Sequence, residues 1–197
     1  MKTAIVLGTR PEIIKLSPLI NQLNKKSTSV IFTGQHYDYN MGMHFIDQLG
    51  LSKPNYSMKI PPTKPSLQIA EIIKKLSKIL EKEKPETVIV QGDTNTVLAA
   101  GITSLKSHIP ISHIESGLRS YDWRMPEEHN RITVDHFSDF LFAPTQINKQ
   151  NLISEKVHGK IFVTGNTVID AINYFSKISK KQSKLSIEYD DYVLLTL

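Results

Sequence analysis

Short apolar runs alternate along this chain with longer amphipathic ones, and that alternation constrains the fold more than any other feature. "TAIVLG" (3–8), "VIFTG" (30–34), "TVIVQ" (87–91), "ISHIE" (111–115), "FLFAP" (140–144) and "IFVTG" (161–165) each have the length and composition of a buried strand. Between them lie helical patterns. In "RPEIIKLSPLINQLNKK", Ile13, Ile14, Leu16, Leu19, Ile20 and Leu23 recur at helical spacing. "SLQIAEIIKKLSKILEKEK" (66–84) is strongly amphipathic, with Ser66 placed to cap it. Further helices are expected over about 94–106, 126–137, 145–155 and 167–180. The segment 35–65 is interrupted by Pro54, Pro61, Pro62 and Pro65 and reads as less regular. Six apolar strands separated by helices imply an α/β, Rossmann-like parallel sheet with helices on both faces and right-handed crossovers.

The chain has 197 residues, 40% of them hydrophobic, enough for one ordinary core. Residues 1–180 are expected to form that domain. The last stretch, "SIEYDDYVLLTL" (186–197), begins polar and ends in an apolar run. Residues 181–197 are therefore expected to be a linker and the first strand of a second domain. No run approaches the roughly 18 apolar residues of a membrane span, and the N-terminal apolar run is too short for a secretory signal. There is no cysteine, hence no disulfide framework or thiolate metal site, and a cytoplasmic location is expected. The net charge is +5. Much of the excess sits in helical runs such as Lys74, Lys75, Lys78, Lys82 and Lys84, which read as solvated faces. They lack the interleaved aromatics of a nucleic-acid groove, so neither nucleic acid nor membrane is expected as a partner.

In open parallel sheets, ligands sit at the carboxyl ends of the strands. Nearly every strand here ends in glycine plus polar residues. "GTRPE" forms a T-x-x-E capping box from Thr9 and Glu12, with Pro11 in the first turn. Arg10, beside exposed helix N–H groups, is a candidate anion site, and Lys15 follows one turn later. Asp93 follows a buried strand; it suits a helix N-cap and also shares its edge with Glu115 and Arg10. Glu115 closes a strand, Gly117 permits a tight turn, and Arg119 is placed to pair with a nearby acid. His113, on the strand, is read as facing the core or the cleft wall. "MPEEHNRIT" starts a helix with Glu127 and Glu128 in its first turn. These two point about 100° apart, so at most one faces the cleft, and spacing does not choose between them. Asn130 and Arg131 are the candidates to fix that carboxylate. No H-x-x-x-H spacing supports a metal, and none is expected. Several carboxylates beside a cationic site suggest acid/base chemistry on an anionic substrate.

"GTRPEIIKLSP", "TGQHYD", "QGDTNTVLAA", "HIESGLRS", "MPEEHNRI", "FAPT" and "VTGNTVIDA", in this order, resemble the non-hydrolysing UDP-N-acetylglucosamine 2-epimerases. The resemblance implies one half of a GT-B-like two-domain fold, with the active site between the domains. It implies conversion of UDP-GlcNAc to UDP-ManNAc with no metal and no redox cofactor, through loss of the C2 proton, expulsion of UDP and re-addition. By motif position, Asp93, Glu115 and Glu127 match the family's catalytic acids and Lys15 a catalytic-site lysine, while Glu128 is left to the helix dipole. Arg10 matches a residue near UDP; Arg119, Asn130 and Arg131 are its neighbours at the substrate. Gln35 and His36 fall in a segment linked to a regulatory UDP-GlcNAc site, although "QHYDYN" departs from the commoner bacterial form. The family also implies a homodimer and a second domain carrying most nucleotide contacts, so this polypeptide alone is expected to be inactive. Alternatives are half of a GT-B-like glycosyltransferase and a non-catalytic sugar-nucleotide-binding module.

Overall fold

The computed structural model describes residues 2–34, 39–61 and 63–182; side chains at 39–43 and 177–182 are left undescribed. Seven strands alternate with seven helices: β1 (Thr3–Leu7), α1 (Arg10–Gln22), β2 (Thr28–Phe32), α2 (Tyr39–Gln48), β3 (Tyr56–Ser57), α3 (Pro65–Glu83) and β4 (Thr87–Gln91). There follow α4 (Asn95–Lys106), β5 (Ile111–Ile114), α5 (Pro126–Phe137), β6 (Phe140–Ala143), α6 (Gln146–Ser154), β7 (Lys160–Val163) and α7 (Thr167–Gln182). They form one sheet in the order β3-β2-β1-β4-β5-β6-β7, with every pairing parallel. This is a Rossmann-like α/β fold.

Alternate residues of β1 feed opposite layers, as the period of two requires. Ala4 and Val6 pack with Ile72, Leu76 and Leu80 of α3, Val97, Ala99 and Ala100 of α4 and Val134 of α5. Ile5 and Leu7 pack with Ile13, Leu16 and Ile20 of α1 and with Phe32 and Ile46. Strand order reverses direction at β1 and β4, so the turns after these two strands open side by side.

The expected elements need four amendments. The segment 35–65 contains both α2 and the two-residue edge strand β3, making seven strands rather than six. Ser66 is not the cap of α3: the helix begins one residue earlier, with Pro65 at its first position and Lys64 before it. Proline is favoured there because its missing N–H would have no helical partner. Asp93 is not the cap of α4 either; Thr94 is, accepting the Val97 N–H. Finally, α7 continues to Gln182, two residues past the expected domain end. The strand expected within 186–197 lies outside the described residues, as do Gln35 and His36.

Pro18 lies inside α1. It cannot donate to the Ile14 carbonyl one turn back. The Ser17 hydroxyl takes that acceptor instead, at 2.7 Å.

Candidate active site

The turns after β1, β4 and β5 and the start of α5 enclose a cleft of about 210 Å³. Its walls include Glu12, Lys15, Asp93, Glu115, Glu127 and Arg131. Thus four carboxylates and two cations, drawn from three separate strand-to-helix units, face one space.

Glu115 is reached by a turn of unusual backbone. Its own φ is 69°, a left-handed conformation that costs a non-glycine residue about 1–2 kcal/mol. Its N–H and that of Ser116 both donate to the Phe142 carbonyl, which ties the turn to β6. The carboxylate is held from three sides. Lys15 Nζ lies 2.6 Å from Oε2, Gln91 Nε2 donates to the same oxygen, and Asn166 Nδ2 donates to Oε1 at 3.1 Å. Glu115 is 9% exposed, so burial and these donors leave it one direction in which to act.

Asp93 follows Gly92, whose φ of 81° turns the chain sharply out of β4. Arg131 pairs with its Oδ2, and Asn130 donates to its backbone carbonyl at 2.8 Å and to Asn95 Oδ1 at 3.3 Å. Asn130 and Arg131 therefore orient Asp93 from α5. Arg131 also lines the cleft, whereas Asn130 is buried behind it.

Glu127 and Glu128 separate as helix geometry demands. Glu127 is exposed on the cleft. Glu128 is buried and does more than complement the helix dipole. It accepts the Ser120 and Tyr121 N–H groups at 3.0 and 2.9 Å and pairs with Arg131 at 3.1 Å. Burial raises its carboxyl affinity for protons, but these hydrogen bonds and Arg131 outweigh burial and hold it below the usual range. Glu128 clamps the loop that joins the Glu115 turn to the Glu127 helix.

Besides Asn130, two expected substrate contacts are placed elsewhere. Arg119 does not reach the cleft. Its guanidinium has no exposed surface and grips Glu155 through Nε and Nη2 at 2.7 and 2.5 Å, with Nη1 2.8 Å from Asp135. The reason is length: from the turn after β5, the side chain runs back to α5 and α6. Arg10 is exposed at the first position of α1, outside the cleft lining, with its guanidinium 5.1 Å from the Phe45 ring centroid.

Three contributors were not legible as site residues. Gln91 is the last residue of β4 and Asn166 the third residue after β7; both bind Glu115. Glu12 does form the capping box with Thr9, but it is also completely buried on the cleft wall. It accepts the Gly8 and Thr9 N–H groups at 2.5 and 2.7 Å and the Thr94 hydroxyl at 2.6 Å, bridging the β1 and β4 turns. Burial pushes its carboxyl up despite those donors. The only hint in the sequence was that two polar strand-end turns, "GTRPE" and "GDTN", shared an edge.

Comparison with known proteins fits this geometry. A family model described as UDP-N-acetylglucosamine 2-epimerase matches residues 20–197. The UDP-N-acetylglucosamine 2-epimerase of Methanocaldococcus jannaschii is 47% identical over 206 residues, covering 100% of this chain and 56% of that protein. The UDP-2,3-diacetamido-2,3-dideoxy-D-glucuronate 2-epimerase of Pseudomonas aeruginosa is 37% identical, covering 100% of this chain and 57% of that one. The crystal structure of the Methanocaldococcus jannaschii enzyme, in complex with UDP-GlcNAc and UDP, superposes with a TM-score of 0.89 at 48% identity. It covers 92% of this chain and 51% of its own. The chain spans about half the length of the curated relatives it matches. With the family model spanning residues 20–197, the chain belongs to the UDP-N-acetylglucosamine 2-epimerase family.

Proposed function

We propose that this chain supplies one wall of the active site of a non-hydrolysing epimerase that interconverts UDP-GlcNAc and UDP-ManNAc. The observation that carries the reading is the convergence of Asp93, Glu115, Glu127 and Lys15 on one cleft at the carboxyl ends of the strands. The reaction needs that set. A base removes the C2 proton while the C1–oxygen bond breaks and UDP leaves, giving 2-acetamidoglucal. UDP then adds back to C1 as an acid delivers a proton to the opposite face of C2. No electrons are exchanged with a cofactor, and one proton leaves and one returns. Carboxylates placed on different turns can address the two faces. Lys15 and Arg131 orient Glu115 and Asp93 and bring positive charge to a substrate carrying a pyrophosphate.

A glycosyltransferase would need an acceptor site and one dominant base, whereas this cleft gathers several acids. The Pseudomonas relative's name gives a specific reason to assay a second substrate, a UDP-linked diacetamido uronate. The test is to join the chain to the carboxyl-terminal half of a family member and incubate it with UDP-GlcNAc in D2O. Deuterium at C2 of both epimers, with no acceptor added, is the expected result. Transfer to an added acceptor without C2 exchange overturns the reading. Exchange only with the uronate would keep the chemistry and move the substrate.

A further inference from the structure

We propose that His113 carries a proton on both ring nitrogens and acts as a positioning residue, locking the Asp93 turn to the Glu115 turn from behind the cleft. The positioning half rests on the epimerase reading; the proton count does not.

His113 is the fully buried histidine among the described residues. Its Nε2 lies 2.8 Å from the Gly92 carbonyl oxygen, an acceptor with no proton to give. That nitrogen must donate. Its Nδ1 lies 2.7 Å from Asp135 Oδ1. Asp135 is itself buried, and its other oxygen accepts the Gly117 N–H at 3.0 Å and faces Arg119 Nη1 at 2.8 Å. The Gly117 N–H and the Arg119 guanidinium on that oxygen favour the ionised carboxylate. An ionised carboxylate only accepts, so Nδ1 must donate as well.

The placement turns this cluster into a device for the site. Gly92, held by Nε2, immediately precedes Asp93. Gly117, held by Asp135, lies two residues after Glu115. All three turn residues, Gly92, Glu115 and Gly117, are left-handed, at φ of 81°, 69° and 78°. Glycine adopts such a φ freely, whereas at Glu115 it persists only because the surroundings hold it. One imidazole and one carboxylate thus set the separation of two acids that share a cleft but no direct contact.

The test uses the 197-residue chain labelled with ring-15N histidine. The His113 signals are assigned by their slow-exchanging ring protons and by their loss in His113→Gln. Both ring nitrogens should be protonated at neutral pH; one unprotonated ring nitrogen overturns the proton count. Joined to a second domain, H113Q should lose on the order of 100-fold in kcat, with KM changed less than threefold, as expected for misplaced reacting groups. An unchanged kcat in a folded H113Q variant overturns the positioning role. If the unaltered protein shows no C2 exchange, the epimerase reading fails, while the nitrogen signals still decide the proton count.

Discussion

Glu115 sits on a left-handed backbone and is oriented by Lys15, Gln91 and Asn166, with acceptor capacity left on its carboxylate. Arg119, four residues later, shows how differently a neighbouring charge can be used. Buried between Asp135 and Glu155, it is part of the scaffold. Arg119→Met should therefore lower stability by roughly 3–5 kcal/mol, because it takes the guanidinium from the buried Asp135 and the half-buried Glu155. Denaturant unfolding reads this directly. An unchanged midpoint accompanied by a raised KM would return Arg119 to the substrate. Asp93→Asn should do the reverse, leaving the unfolding midpoint within about 1 kcal/mol while lowering C2 exchange at least about 100-fold. Charge type and strand-end position were legible for both residues. Their partners were not, since Glu155 and Arg131 lie 36 and 38 residues away along the chain.

At the scale of elements, the sequence spoke clearly wherever an element was long and patterned. The strands β1 and β4 and the helix α3 fall within a residue or two of their expected bounds. The edge strand β3 escaped because two residues carry no period, and it is held by pairing with Ile31 and Phe32 rather than by its own pattern. Glu83 at the end of α3 helps secure that edge. Tyr56 Oη and Ser29 Oγ donate to it at 2.6 and 2.7 Å, and Lys2 lies 3.1 Å away. Tyr56 and then Ser29 bring the Glu83 carboxyl down to about 2 from its ordinary 4.5. A depressed carboxyl stabilises the fold fully above the ordinary value and loses its contribution as pH falls towards the folded one. Thermal stability should thus fall between pH 4.5 and about 2, and less steeply in Glu83→Gln; parallel pH profiles would show that the edge draws nothing from this group. The turn between β5 and α5 offers a second check. A Cβ at Gly117 would run into the Asn148 carbonyl, and the φ of 78° disfavours any side chain. Gly117→Ala should cost roughly 2–4 kcal/mol, measured by thermal unfolding. A neutral outcome would mean that the turn can relax away from α6.

For the whole molecule, the proposed function makes the cleft one wall of a larger site. Its volume of about 210 Å³ is below the roughly 300–1,000 Å³ of sites that enclose a ligand, and the chain matches about half of each relative's length. The 197-residue polypeptide alone should therefore epimerise UDP-GlcNAc at least about 100-fold more slowly than the same chain joined to a second domain. C2 deuteration measured on both proteins decides this, and equal rates would show that one wall suffices. The alternation of strand and helix, hence a parallel sheet and the turns that share an edge, can be read along the chain. Those are local properties, set by periodicity and by glycine and proline at strand ends. Which charges face the cleft, and which neutralise one another behind it, depends on the folded arrangement. Strand order places β1 beside β4 and β4 beside β5, so Lys15 meets Glu115 across 100 residues of chain and Asp135 meets His113 in the interior. Such pairings follow from which turns become neighbours in space, and no stretch of sequence contains both partners.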